Sequence, residues 1–290
     1  MSDAVLLMAY GSPSRIEDVP AYFDDVRGGR PVSPAAVAEL AERYRRIGGS
    51  PLETITERQR QALERELGLP VYVGMKHWRP RIAEAVERAL AGGATRIVAL
   101  VLAPHYSRMS IGEYRERVEQ ALDGRAEVVF VESWHDHGSF LDVVADRVRG
   151  TDAHVVFTAH SLPARILAEG DPYRDELLET AALVAARAEL GDWSFAFQSS
   201  SPTGEPWLGP DVLEELETLS SRGVRRVLIA PVGFVSDHLE ILWDLDVEAR
   251  ERAAELGLEL ERIESLNDDP RFVAALGEIV RRALSVPSNA

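Results

Sequence analysis

The chain contains no cysteine. That absence removes disulfides, thiolate zinc sites, cysteine-held iron–sulfur clusters and cysteine nucleophiles together. Lysine is nearly missing as well: Lys76 stands alone among 32 basic side chains, the rest being arginine. No apolar run approaches the ~20 residues of a membrane span, so no membrane insertion is expected. Met1, Ser2 and Asp3 lead straight into a strand-like run without the basic-then-apolar order of a signal peptide, and the expected location is the cytoplasm. Positive charge is scarce, with 48 acidic side chains giving a net charge of −16. Nucleic acid and anionic membrane surfaces are therefore excluded as default partners, and any anionic small substrate needs local arginines. Glycine-rich nucleotide loops and the G-x-S-x-G elbow are also absent, which removes support for nucleotide binding and for a serine hydrolase.

What is present begins with an internal repeat. V-L-L-M-A-Y-G-S-P at 5–13 superimposes without a gap on V-V-F-T-A-H-S-L-P at 155–163, so Tyr10 falls on His160. Each is an apolar, β-favouring run ending in a small residue, a polar ring and a turn. A second match pairs 95–107 with 225–236. Strand-like runs near 4–9, 70–75, 96–103 and 127–132 recur near 154–159, 194–198, 225–231 and 258–262, separated by helical periodicity. Strands alternating with helices imply parallel sheets covered on both faces. The reading is α/β, with two similar halves of four strands each, divided near 150 into segments 1–150 and 151–290. Residues 14–60 hold no strand and read as helices around 17–27 and 34–47, an insertion placed to form a lid or cleft wall. Ser285 to Ala290 reads as a loose tail.

In open α/β sheets ligands bind at the carboxyl ends of strands, which places Tyr10 and His160 where chemistry is expected. The segment P-V-G-F-V-S-D-H-L-E-I-L-W-D-L-D-V-E at 231–248 predicts a strand end, a loop and a helix from near Asp237. Glu240, Asp244 and Glu248 then stack at i, i+4 and i+8 along one face, a repulsive row unless cations or basic groups meet it. The same residues fit a capping box, with Asp237 as N-cap and Glu240 reaching back, or a solvated acidic face. His160 and Glu240 belong to loops that reach one cleft. An imidazole and a carboxylate suit a divalent iron or zinc ion, and equally a base and acid pair. Ser161 follows His160 on an alternating strand, which makes a Ser–His pair geometrically poor. His135, Asp136 and His137 form a minor candidate cluster that reads as surface. Lys76 and His77 on one strand-end loop, and Trp207 on another, are further candidates for the cleft.

The motifs M-A-Y-G-S-P, R-Y-R-R-I-G-G-S-P-L, G-M-K-H-W-R-P, L-A-P-H-Y-S, T-A-H-S-L-P, P-W-L-G-P-D-V and P-V-G-F-V-S-D-H-L-E resemble those of the ferrochelatases, in order and over nearly the whole length. The compact members acting on coproporphyrin III are the most similar in character. The resemblance implies two doubly wound, Rossmann-like lobes with a porphyrin cleft between them. It implies insertion of Fe(II), a substrate and not a bound cofactor, into coproporphyrin III to give coprohaem. It also implies that no iron–sulfur cluster is held. His160 and Glu240 are then the metal-side catalytic residues, with Asp244 and Glu248 as a metal or proton relay. Tyr10 would lie axial to product iron. Arg27, Arg43, Tyr44, Ser50 and Tyr114 would hold the propionates, for which the planar arginine fork suits carboxylates. A monomer with transient handover to the next haem-pathway enzyme is expected. A protoporphyrin IX ferrochelatase and a non-catalytic porphyrin or haem carrier are the alternatives.

Overall fold

A computed structural model describes residues 2–201 and 203–285. The first sheet contains β1 (Asp3–Ala9), β2 (Val71–Met75), β3 (Arg96–Val101) and β4 (Glu127–Val131) in the order β2-β1-β3-β4. The second contains β5 (His154–His160), β6 (Trp193–Gln198), β7 (Arg226–Ala230) and β8 (Glu259–Arg262) in the order β6-β5-β7-β8. All pairings are parallel. The two halves are alike, as the repeat implied; the structure adds that they share one strand order and that each opens on a strand in the interior of its sheet.

Those opening strands are mostly apolar because both faces are covered, with polar residues at Asp3, His154, Thr158 and His160. Val5 and Leu7 point into a core shared by the two lobes, whereas Ala4, Leu6 and Met8 point into an outer core. Val155 and Phe157 enter the shared core, and Val156 enters the outer core of the second lobe. Helix α3 (Leu52–Leu67) runs through residue 60 and packs on β2. Helices α4 (Ile82–Ala91) and α5 (Glu113–Leu122) cover the outer face. Helix α6 (Gly138–Val148) packs on α7 (Tyr173–Ala188), and α8 (Val212–Ser221) lies on β6. After α9 (Leu239–Leu242), a π-helical turn (Asp244–Ala249) leads into α10 (Arg250–Glu255). The final helix α11 (Pro270–Leu284) crosses back to α3, α6 and the first sheet. The expected tail lies outside the described residues from 286 onward. Among the described residues, no helix is long and apolar enough to cross a membrane.

Between β1 and α3 lies a helical hairpin, α1 (Val19–Val26) and α2 (Pro34–Arg46). Ser33 caps α2 by accepting the Ala36 N–H at 3.2 Å, and Pro34 occupies a first-turn position that needs no donor. Val19, Tyr22, Ala41 and Tyr44 give the hairpin its own small core, against which Trp78 and Leu239 also pack. The hairpin therefore touches the segment bearing the acidic row.

Candidate active site

Tyr10 immediately follows β1, while His160 is the last residue of β5 and pairs in register with Gln198 of β6. Close backbone approach fixes the loops around them. A Cβ on Gly233 would lie 2.4 Å from the Cβ of Ala159, so only glycine lets the post-β7 loop lie against β5 and donate to the Thr158 carbonyl at 3.1 Å. Gly11 adopts φ +93° against the Trp78 backbone.

His160 Nδ1 lies 3.1 Å from Glu240 Oε2, and the His160 carbonyl accepts the Tyr173 hydroxyl at 3.0 Å. His238 Nε2 stands 3.7 Å from the same carboxylate oxygen. Gln198 Nε2 donates to the Glu240 carbonyl at 2.6 Å, which anchors the backbone of the pair. Burial acts to raise the Glu240 carboxyl, but the charge and hydrogen bond of His160, then those of His238, hold it far below the usual carboxylate range. Burial acts to lower His160, and the Glu240 charge and hydrogen bond outweigh it, so its pKa is raised. Both shifts favour the ion pair. Trp207 presents its ring edge-on to His160, with centroids 6.5 Å apart.

The helix expected from Asp237 differs from the structure. The N-cap is His238, the four-residue α9 starts at Leu239, and no capping box forms. Asp237 instead accepts from Ser265 at 2.6 Å and Asn267 at 3.0 Å, and Glu240 turns to His160. Each carboxylate has a partner across the fold that outcompetes a local backbone N–H. In the π-helical turn, Glu248 N donates to the Trp243 carbonyl at 3.0 Å, a wider turn than the regular helix read from the spacing. Glu240, Asp244 and Glu248 still line one cavity of about 540 Å³, together with Arg43, Tyr10 and Tyr22. A smaller cavity of about 180 Å³ meets it at Tyr10 and Glu240, and is lined by His160, His238, Tyr114, Tyr173 and His105.

Asp244 accepts the Ser199 hydroxyl. Burial first, and then the Glu240 charge, push its pKa up to about 7, so the row avoids carrying three full charges at neutrality. A folded-state value above the ordinary 3.8 means the native protein holds this proton more tightly than the unfolded chain. Stability from this group is thus full at low pH and lost as pH rises towards 7. Asp244→Asn is expected to stabilise the protein at pH 8 by on the order of 1–2 kcal/mol, after allowance for solvent screening, with the gain fading towards pH 4. Melting temperatures at the two pH values check this, and an equal difference at both would refute it.

Behind Tyr10, Lys76 pairs with Glu113 at 2.7 Å and lies 5.9 and 5.3 Å from the ring centres of Tyr10 and Tyr114. His77 packs on Tyr10 with centroids 4.8 Å apart and bonds Asp25 at 3.2 Å. Burial, followed by the Lys76 and Arg117 charges, lowers His77 to about 4 and keeps it neutral. Burial and the Glu240 charge raise the Tyr10 phenol.

Of the carboxylate-binding candidates, Arg43 lines the larger cavity and Tyr114 the smaller one. Arg27, Tyr44 and Ser50 line neither. Tyr44 is 2 % exposed inside the hairpin core, with its hydroxyl 3.0 Å from Ser12 Oγ. The Arg27 carbonyl takes the Arg30 Nε–H at the end of α1, and Ser50 Oγ takes the Leu52 N–H at the start of α3. His135 bonds to Ser133 and Glu179. Among the described residues, no group of three or more His, Asp or Glu side chains is arranged as a metal site. A further opening of about 920 Å³ lies along edge strand β2 and contains none of the candidates. There Glu64 takes the Val71 N–H and Arg88 donates to the Val73 carbonyl, so its side chains protect a sheet edge.

Fold and site together define a two-lobed α/β protein whose ligand cavities lie between the carboxyl ends of two matched parallel sheets. The sequence model of the ferrochelatase family matches residues 2–284. A ferrochelatase from Herpetosiphon aurantiacus is 46 % identical, covering 96 % of this chain and 97 % of its own. A coproporphyrin III ferrochelatase from Geobacillus thermodenitrificans is 38 % identical, covering 97 % and 96 %. Among solved structures, SirB from Bacillus subtilis with Fe3+ shares the fold at TM-score 0.66 and 12 % identity, covering 98 % and 96 % of the two chains. The chain belongs to the ferrochelatase family. It is a ferrochelatase-type lyase with a tetrapyrrole substrate and a place in haem and porphyrin biosynthesis.

Proposed function

We propose that the protein inserts Fe(II) into coproporphyrin III, with the His160–Glu240 pair as the reacting centre. The observation that carries this reading is the ion pair itself, at the carboxyl end of β5 and bordering both cavities. Metal insertion exchanges one Fe²⁺ for two pyrrole protons, so the site must release its own proton, receive two more and stay electrically tolerable throughout. With Nδ1 committed to Glu240, His160 Nε2 is the nitrogen left to take a pyrrole proton, and the carboxylate steadies the imidazolium formed. Asp244, near half-protonated at neutrality, passes protons along the row to Glu248. Tyr10 would be the residue to hold product iron from the other lobe's strand end, and Lys76 and His77 pack against its ring. Trp207 forms a wall against His160.

The choice of coproporphyrin rests on Arg43 at the wall of the larger cavity and on relatives named for that substrate. Four carboxylates gripped by Arg43 and its neighbours supply remote binding energy for bending the macrocycle towards the metal. Tyr44 joins this grip only when the hairpin shifts on binding, because its hydroxyl is buried against Ser12 Oγ, and Arg27 and Ser50, which line neither cavity, must be brought to the substrate by the same shift. Anaerobic absorbance with Fe(II) and either coproporphyrin III or protoporphyrin IX tests the reading. Loss of the free-porphyrin bands with coproporphyrin alone is the expected result. Preference for protoporphyrin would overturn the substrate, and tight binding without conversion would identify a carrier.

A further inference from the structure

Trp243 joins α9 to the π-helical turn and directly precedes Asp244. The guanidinium carbons of Arg43 and Arg46 stand 5.4 and 4.9 Å from its ring centre. Both arginines come from α2 at a spacing of three residues, so they share a helix face. Trp243 Nε1 is buried with no hydrogen-bond partner among the described residues. The indole is therefore not retained for its polar atom; what it offers its neighbours is a π face, to which guanidinium groups are attracted.

Arg43 has a tempting wrong partner. It lines the cavity that holds Glu240, Asp244 and Glu248, and an arginine free to swing there would collapse onto that row and lose its donors. It is instead tethered to Glu39 at 2.8 Å, one turn back on α2, and held against the indole. Arg46 pairs with Glu251 of α10 at 2.8 Å, tying the hairpin to the same part of the second lobe. An exposed ion pair of this kind holds weakly by itself, so the stacked ring is the firmer part of the clamp.

We propose that Trp243 is a positioning residue, which holds the Arg43 guanidinium at the cavity wall, off the acidic row, with the donors not taken by Glu39 ready for a carboxylate of the tetrapyrrole. The inference rests on reading Arg43 as a carboxylate donor. Trp243 touches no reacting atom, so its removal weakens capture and leaves the chemistry intact.

The test is a double-mutant cycle in the full chain, with Trp243→Leu and Arg43→Ala singly and together. Coproporphyrin III affinity is read without metal by fluorescence quenching, and KM and kcat with Fe(II). Trp243→Leu is expected to raise Kd and KM about tenfold while kcat stays within about twofold. Trp243→Phe, which keeps a π face, restores most of the loss, and Trp243→Leu adds nothing once Arg43 is alanine. Full additivity with Arg43→Ala, unchanged affinity, or a fall in kcat at constant KM would each overturn the proposal. Should Trp243→Leu fail to fold, Trp243→Phe takes its place in the cycle with an expected loss of about threefold, and additivity again decides against it. If the wild type binds the porphyrin and inserts no iron, the chelatase reading fails, and the metal-free binding cycle still judges Trp243.

Discussion

His160→Ala is expected to cut Fe(II) insertion about a thousandfold while tetrapyrrole affinity stays within about threefold of wild type. The imidazole is the one nitrogen base set against Glu240 at the end of a sheet strand, and positioned bases of this type contribute two to four orders of magnitude. Affinity is spared because the groups assigned to the substrate carboxylates sit on the α1–α2 hairpin, just before α3 and on α5, not on β5. The fold is spared too. The backbone of residue 160 keeps its pairing with Gln198 and its carbonyl bond from Tyr173, and a strand accepts alanine at its last position. The loss has a second part. Without the imidazolium, the carboxyl of Glu240 loses its largest counter-charge, and burial lifts its pKa. Part of the activity should therefore return with added imidazole, which restores both a base and a cation to the vacated space. Initial rates with and without imidazole check this, and activity within threefold of wild type would remove His160 from the reaction.

The sheets were legible because their signal is local and redundant. A strand covered on both faces is almost wholly apolar, and the run from Ala4 to Ala9 is matched by the run from Val155 to Ala159, broken only by Thr158, which marked the opening strand of each half. His160 and Glu240 were legible for a related reason, since strand ends in such folds converge on one cleft. His238 was missed although it stands two residues before Glu240. The spacing read as a regular helix from Asp237 turned its ring away, whereas the late start at Leu239 turns it to the carboxylate. Tyr44 was expected among the residues that hold the propionates, and it is instead buried between two flanking arginines. Its three-residue spacing from Ala41 was the clue to an inward face, but the hairpin core becomes evident only once α1 supplies Val19 and Tyr22. Tyr173 and Gln198 carried no local signal, because their bonds to the backbone of His160 and Glu240 depend on how β5, β6 and α7 pack.

Glu240→Gln should lower kcat at neutral pH by about a hundredfold or more and, more tellingly, move the acid limb of the rate profile. On the proposed role, His160 must shed its proton before it can accept one from a pyrrole. Its pKa is raised because the Glu240 charge and hydrogen bond outweigh burial, so activity is suppressed until pH passes above the ordinary value of 6.5. Glutamine keeps the size and a hydrogen-bonding oxygen but removes the charge. Burial then becomes the dominant influence on the imidazole and acts downward, with only a neutral hydrogen bond and the more remote Asp244 charge opposing it. The residual activity of Glu240→Gln should therefore rise at a lower pH than that of the wild type. Its maximum should still be reduced, because the imidazolium formed on proton transfer has lost its counter-charge. Glu240→Asp, with the charge retained on a shorter arm, should keep the acid limb near its wild-type position. Rate profiles from pH 5 to pH 9 for the three proteins decide the matter. An acid limb that stays fixed in Glu240→Gln would mean that His160 does not govern it, and that Glu240 acts on the metal alone.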